Sequence, residues 1–212
     1  MKLALIGFGD LGHYIEDMIT EFHPVEAGAT VYFDDNLVRE GAARAHAFND
    51  YASDEFKDHH FYVCLGYKHL KVKGEIIARL EALGRTVPHF VHPSAWVHPS
   101  VKIGCGSFVY PGCSIDRNTT IGRGTWITNA DVIAHDCTIG NSCWFGATVT
   151  ISGKVVVADN TFIGSGTTVA NDVHVGESVI VGMGTAVTKN IADKQSAIGN
   201  PLRILERPLK LV

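Results

Sequence analysis

Residues 115–151 read, in groups of six, IDRNTT IGRGTW ITNADV IAHDCT IGNSCW FGATVT I, so an aliphatic or aromatic residue opens every group. The same step of six runs without a break through 17 positions, from Val91 to Val187. An even period places all these side chains on one side of an extended chain, together with the residues two positions earlier. Those earlier positions hold mostly small residues: Ser107, Cys113, Thr119, Thr125, Cys137, Cys143, Thr161 and Thr167. The pattern predicts a solenoid of short strands filled by stacked aliphatic side chains.

The repeat resembles the left-handed parallel β-helix of the hexapeptide-repeat proteins, in which three groups of six make one coil. The handedness comes from this resemblance, because the period itself indicates only a solenoid. Glycines often follow the aliphatic residue, where the chain must turn a corner. They are Gly104, Gly122, Gly140, Gly146, Gly164, Gly176 and Gly182.

The composition is that of a soluble globular protein. Of the 212 residues, 46% are hydrophobic and 19% are charged, and the formal net charge is -4. No run of basic residues suggests a nucleic-acid partner. The sequence shows neither a secretory signal nor an apolar stretch near the roughly 20 residues that span a bilayer, so we expect a cytoplasmic protein without membrane insertion. Five cysteines without a CxxC pair favour reduced structural thiols and no metal site.

The first 86 residues lack the period of six and have an α/β pattern. Leu3–Ile6 is an apolar strand that runs into Gly7–Gly12, a G-x-G-x-x-G turn followed by a helical stretch. A second strand, Thr30–Phe33, ends at two aspartates, and Phe61–Leu65 forms a third. We therefore predict a small Rossmann-like domain over residues 1–86 and a β-helix over residues 87–212. With only one βαβ-type half, a single nucleotide or nucleotide-sugar is a better fit than NAD.

The repeat carries one chemically conspicuous segment, Asn129–Gly140. His135 lies two residues after Ile133, at a corner that faces outward. Gly153 follows one coil, or 18 residues, later, and we expect it to leave a groove and a free backbone N–H above the imidazole. Asp136 is positioned to hold the ring's tautomer or raise its basicity. An exposed histidine is usually only solvated surface, but these neighbours favour a general base.

The glycine turn, Asp34-Asp35, the Gly66 segment, His135–Gly140 and the closing Gly199-Asn200-Pro201 occur together in this chain. The combination resembles the sialic-acid O-acetyltransferase and nucleotide-sugar N-acetyltransferase family of bacterial glycan biosynthesis. The resemblance covers nearly the whole chain. It implies acetyl-CoA as co-substrate, no metal, and trimers with active sites between subunits.

The resemblance also implies site residues. His135 would be the general base and Asp136 its acidic partner. Residues of the nucleotide-sugar pocket would be Gly9, Asp10, Leu11, Asp34, Asp35 and Gly66. Residues of the CoA groove would be Trp144, Gly153, Ile163, Gly164 and Gly182. The glycine turn departs from the family pattern, which often has a histidine followed by Gly-Lys where this chain has Leu11, Gly12 and His13.

One outward column of the predicted solenoid is aromatic. Steps of 18 give Phe90, Phe108, Trp126, Trp144, Phe162 and Ile180. We expect these side chains to form an exposed apolar stripe that a subunit interface covers, since a soluble monomer rarely leaves such a stripe bare. The alternative is cover by the N-terminal domain or a C-terminal segment of the same chain.

Taken with these residues, the family resemblance implies an acetyl-CoA-dependent N-acetyltransferase that acts on a nucleotide-linked amino sugar. His135 would remove a proton from the sugar amine, and a backbone N–H near Gly153 would stabilise the oxyanion. Two alternatives stay open. One is O-acetylation of a sialic acid or another sugar hydroxyl, and the other is a non-catalytic trimeric scaffold.

Overall fold

The computed structural model describes residues 1–211, and the chain forms two compact units. The first comprises Met1–Pro88, and the second begins at His89. The first unit has one sheet, the second has three, and each unit has its own buried core.

The first unit is a small parallel sheet with helices. Its elements are β1 (Lys2–Ile6), α1 (Asp10–Phe22), β2 (Thr30–Phe33), α2 (Asp35–Arg39), β3 (Ala45–His46), β4 (His59–Val63) and α3 (Leu70–Ala82). The strand order is β3-β2-β1-β4, and all pairs are parallel. The expectation of three strands was wrong, because β3 adds a fourth. Two residues are too few to show an alternating pattern in the sequence.

The second unit is a parallel β-solenoid of the left-handed β-helix type. Its two-residue strands recur every six residues, as the sequence predicts. They are β5 (Phe90–Val91), β6 (Trp96–Val97), β7 (Lys102–Ile103), β8 (Phe108–Val109), β9 (Ser114–Ile115), β10 (Thr120–Ile121), β11 (Trp126–Ile127), β12 (Val132–Ile133), β13 (Thr138–Ile139), β14 (Trp144–Phe145), β15 (Thr150–Ile151), β16 (Val156–Val157), β17 (Phe162–Ile163), β18 (Thr168–Val169), β19 (His174–Val175), β20 (Ile180–Val181) and β21 (Ala186–Val187). A final antiparallel pair, β22 (Ser196–Ile198) and β23 (Arg203–Leu205), follows them.

The strands stack into three sheets with a register of 18 residues. Trp126 pairs with Trp144, for example, and Thr120 pairs with Thr138. From Phe90 to Val187 every coil therefore repeats the backbone of the one before it, and residues 18 apart lie directly above one another. In the last coil the offset is 16 residues, since Ile180 pairs with Ser196.

The interior of the solenoid follows the predicted pattern. The side chains of Ile133 and Ile151 are at most 1% exposed. The small residues two positions earlier also point inward, where their polar atoms find carbonyl partners. Thr125 Oγ1 donates to the Gly140 carbonyl at 2.7 Å, and Cys143 Sγ lies 3.2 Å from the Ala158 carbonyl. All five cysteines are free thiols.

The aromatic column is not the exposed stripe that the sequence suggested. Phe90, Phe108 and Trp126 are at most 2% exposed, whereas Trp144, Phe162 and Ile180 are half-buried. The period specifies the side of the strand on which a residue lies, but it does not specify what lies beyond that side. The expectation of an exposed apolar stripe was therefore wrong for Phe90, Phe108 and Trp126.

Within residues 1–211, no helix combines the length and apolar character needed to cross a membrane.

Candidate active site

The outward corner after β12 holds a histidine–aspartate pair. His135 and Asp136 side chains are about 40% exposed, at 40% and 38% respectively. His135 Nδ1 lies 2.8 Å from Asp136 Oδ2. Asp136 adopts a left-handed backbone conformation with φ 59°, which turns the corner. Because a carboxylate only accepts hydrogen bonds, Nδ1 carries the proton and Nε2 is left as the proton acceptor.

Asn118, one coil earlier, anchors this pair. Its Nδ2 donates to Asp136 Oδ1 at 3.0 Å, while the Asp136 N–H donates to the Arg117 carbonyl at 2.9 Å. The Asn118 amide and the His135 ring together hold the pKa of the Asp136 carboxyl below its usual range. The carboxylate therefore stays ionised near neutral pH and keeps the imidazole oriented. Asn118 was not among the predicted site residues, although a step of 18 back from Asp136 leads to it.

Gly153 provides the space that the imidazole occupies. A Cβ at this position would lie 2.8 Å from both Cε1 and Nε2 of His135, closer than real Cβ contacts occur. The backbone of Gly153 has no positive φ, so the close approach of the ring, and not backbone conformation, requires the glycine here. The predicted stacking of Gly153 on His135 is present.

The Gly153 N–H, however, is not free. It donates to Asn171 Oδ1 at 2.9 Å, so the expectation of an open donor above the imidazole was wrong. A side chain from the next coil reaches back to the preceding corner, as Asn141 Oδ1 also does for the Arg123 N–H at 3.0 Å. The sequence signal existed, because Asn171 lies 18 residues after Gly153.

The other residues expected along the CoA groove serve the packing of the coils. Ile163 has no exposed side chain, and Trp144 stacks on Trp126 with ring centroids 5.1 Å apart. A Cβ on Gly164 would lie 2.6 Å from the Met183 nitrogen. A Cβ on Gly182 would lie 2.8 Å from Ile198 Cγ2. For Ile163, only the backbone can contact a ligand.

The interior of the same solenoid also contains a buried carboxyl group. Asp131 has no exposed surface, although it lies only four residues before His135. Its Oδ1 accepts the Val149 N–H at 2.7 Å, and its Oδ2 has no hydrogen-bond partner among residues 1–211. Burial raises the pKa of this carboxyl to about 8. Asp131 lies two positions before Ile133, where the period of six places a side chain inward.

The three glycines of the turn in the first unit meet the steric requirements of a phosphate-binding turn. Gly7 has φ 79°, which suits glycine, and a Cβ on Gly9 would meet no atom within 4 Å. A Cβ on Gly12 would lie 3.0 Å from the Gly7 carbonyl oxygen, so the third glycine permits close packing of α1 on the turn. The Gly12 N–H donates to the Gly9 carbonyl at 2.8 Å, whereas the N–H groups of Asp10 and Leu11, the first two of α1, have no acceptor within residues 1–211. They are suited to an anionic oxygen.

A cavity of about 430 Å³ opens beside this turn. It is lined by Phe8, Gly9, Asp10, His13, Asp34, Asn36, Leu37 and Glu40. Asp34 caps α2 through the Asn36 N–H at 2.8 Å and also accepts the Phe8 N–H at 2.9 Å. Each oxygen of Asp34 keeps a second lone pair for a ligand hydroxyl or N–H.

Three predicted pocket residues are not among those that line the cavity. Asp35 Oδ1 accepts the Phe48 N–H at 2.9 Å. Gly66 and Leu11 lie against each other, since a Cβ on Gly66 would be 3.6 Å from Leu11 Cδ2. His13 does line the cavity and packs on Phe8, with ring centroids 4.2 Å apart. In the sequence His13 stands out only as part of the departure from the family pattern.

The charges around the cavity limit how it can bind a nucleotide. Asp10, Asp34 and Glu40 are acidic, and no lysine or arginine lines the cavity among the described residues. Acidic side chains accept hydrogen bonds from ribose, sugar and base donors, whereas phosphates would depend on backbone N–H groups of the turn. In the described part of the chain, no three histidine, cysteine or acidic side chains converge in a way that could hold a metal ion.

Comparisons with known proteins agree with this architecture. Residues 136–171 match the family described as bacterial transferase hexapeptide (six repeats). A comparison with curated proteins gives no significant match. Among solved structures, a histidine-to-alanine mutant of GDP-perosamine N-acetyltransferase from Caulobacter crescentus, in complex with CoA and GDP-perosamine, is 25% identical over 98% of both chains, with a TM-score of 0.85.

Two further structures share the fold at lower identity. The acetyltransferase domain of PglB from Neisseria gonorrhoeae, in complex with acetyl coenzyme A, is 24% identical and covers 96% of this chain and 98% of its own, with a TM-score of 0.85. WeeI from Acinetobacter baumannii is 23% identical over 97% of this chain and 100% of its own, with a TM-score of 0.84. None of the three is described as a sialic-acid O-acetyltransferase.

Proposed function

We propose that this protein is an acetyl-CoA-dependent N-acetyltransferase that acts on a nucleotide-linked amino sugar. The observation that carries the proposal is the His135–Asp136 pair, with Nδ1 held at 2.8 Å and Nε2 beside Gly153. The likeness over 98% of both chains to an enzyme with CoA and GDP-perosamine bound supports the same general chemistry.

The reaction is a direct acyl transfer. The sugar amine attacks the thioester carbonyl, a C–N bond forms, and the C–S bond breaks. His135 Nε2 accepts the proton that the amine loses, and the departing CoA thiolate takes up a proton to leave as the thiol. Asp136 keeps the imidazole in the required tautomer and stabilises its protonated form.

The cavity of the first unit is our candidate for the nucleotide-sugar site. The open face of Gly9 and the start of α1 would take a phosphate, and Asp34 would accept a ribose or base hydrogen bond. The remaining predicted residues, Leu11, Asp35 and Gly66, do not line the cavity and would support the residues that do.

The test is CoA thiol release from acetyl-CoA in the presence of UDP-, GDP- and dTDP-linked amino sugars, with product masses measured. We expect turnover with one of these acceptors. His135→Ala should lower kcat about 10²- to 10⁴-fold, because a general base contributes that much, while binding of CoA and the circular dichroism spectrum stay unchanged. Turnover of the variant near the wild-type level would contradict the assigned base.

We also propose a cytoplasmic homotrimer. The half-buried part of the aromatic column, at Trp144, Phe162 and Ile180, leaves apolar surface for a neighbouring subunit. Light scattering should give about three times the 22.9 kDa mass of one chain. A single-chain mass that does not change with concentration would contradict the trimer.

A further inference from the structure

The backbone N–H of Gly153, one coil after the proposed base, already has a partner. Gly153 lies against the Cε1–Nε2 edge of His135, and its N–H donates to Asn171 Oδ1 at 2.9 Å. A thioester carbonyl that reacts beside Nε2 needs a hydrogen-bond donor at this place as negative charge develops on its oxygen. Asn171 Oδ1 and the thioester carbonyl oxygen therefore compete for the same donor, the Gly153 N–H.

The bond is one case of a general corner arrangement. Asn141 Oδ1 accepts the Arg123 N–H at 3.0 Å, and Asp159 Oδ1 accepts the Asn141 N–H at 2.7 Å, each across 18 residues. At these corners the bond only satisfies a backbone donor. At Gly153 the same bond also occupies a donor beside the imidazole.

The His135 corner shows what happens when the capping side chain is missing. Gly153 has no side chain to reach back, and the His135 N–H makes no hydrogen bond within residues 1–211. Asn171 is exposed, so its side chain is free to rotate into solvent when another acceptor takes its place.

We propose that the Asn171 side chain competes with the acyl carbonyl of acetyl-CoA for the Gly153 N–H. The inference rests on the proposed function and deepens it. Asn171 holds the donor in the unliganded protein, and the thioester carbonyl must displace Asn171 Oδ1 to reach it. Free CoA has no acyl carbonyl and does not compete for this donor.

The test measures binding of acetyl-CoA and of CoA by calorimetry in four proteins: wild type, Asn171→Ala, Asn171→Asp and the matched control Asn141→Ala, which removes the equivalent bond to the Arg123 N–H. In Asn171→Ala, the carbonyl displaces only water. The preference for acetyl-CoA over CoA should therefore rise about 2- to 12-fold, which is the net value of one neutral hydrogen bond.

Asn171→Asp should lower that preference, because a carboxylate holds an N–H about twice as strongly as an amide oxygen does. Asn141→Ala should leave the preference unchanged. The ratio of the two affinities removes general effects of the substitutions on the CoA site, including repulsion between a new carboxylate and the CoA phosphates.

Each other outcome overturns the inference in a recognisable way. An unchanged ratio in both Asn171 variants would make the Asn171 bond purely structural. A lower ratio in Asn171→Ala would mean that Asn171 helps to bind the carbonyl, contrary to competition. If the wild type binds neither acetyl-CoA nor CoA, the proposed function fails together with this inference.

Discussion

Replacing Asp131 with threonine should change how the stability of the solenoid depends on pH. The Asp131 carboxyl has no exposed surface, and burial raises its pKa from 3.8 to about 8. Between these values the folded protein keeps a proton that the unfolded chain releases. The stability that this proton contributes is complete below about pH 4 and is lost as the pH rises towards about 8.

The expected slope follows from one proton. The free energy of unfolding should fall by about 1.4 kcal/mol for each pH unit between about pH 5 and pH 7 because of Asp131 alone. Asp131→Thr removes this contribution without removing the backbone bond, since a threonine at the equivalent position, Thr161, accepts the Val179 N–H through its hydroxyl. Relative to the wild type, the variant should therefore gain about 2 to 3 kcal/mol over this range.

The assay is urea unfolding followed by tryptophan fluorescence at a fixed protein concentration. All three tryptophans, Trp96, Trp126 and Trp144, belong to the solenoid unit, so the signal reports that unit. Cys137→Thr is the matched control, because burial raises the pKa of its thiol above an already alkaline value and the group stays neutral over the same range. If the wild type and Asp131→Thr show parallel pH dependence, the reasoning from burial is wrong.

Three further predictions concern the His135 site. Gly153→Ala should lower kcat about 10²- to 10⁴-fold, since a methyl group 2.8 Å from Nε2 displaces the imidazole. In the same thiol-release assay, the double variant with Gly153→Ala and His135→Ala should be no slower than His135→Ala alone. Asp136→Asn should reduce kcat by less than His135→Ala does, because the aspartate orients the ring and takes no proton from the substrate; an equal or larger loss in steady-state kinetics would refute that role. Asn118→Ala should raise the pKa of Asp136 towards its usual range, because it removes a hydrogen bond to the ionised carboxylate. Carboxyl titration by NMR should detect the shift, and an unchanged Asp136 titration would exclude the anchoring role of Asn118.

The sequence predicted the backbone of the solenoid well, because a period of six determines both the side on which each residue lies and the corners between strands. The placement of His135 and Gly153 one coil apart followed from the same period. The hydrogen bonds of the site did not follow, since Asn118 and Asn171 had to be recognised as side chains that reach along the stack. A period identifies which residues lie above one another, but not how their side chains rotate.

The aromatic column and the first unit show two other limits. Trp126 faces outward from its strand and is nevertheless fully buried, because burial depends on chain segments that the period does not describe. The strand Ala45–His46 is too short to show a pattern of its own. In the glycine turn, by contrast, the roles of Gly7, Gly9 and Gly12 could be read from their spacing, because each glycine meets a different steric demand.

The 18-residue register between coils also governs how this site can change in evolution. Asn118, the His135–Asp136 pair, Gly153 and Asn171 occupy successive coils, and the hydrogen bonds of the site lie within one coil or between neighbouring coils. Loss of a single residue among them would shift every later position by one and exchange inward for outward side chains. Gain or loss of a whole coil elsewhere would leave the spacing intact. The solenoid can thus vary in length by complete coils while the geometry around His135 is inherited unchanged.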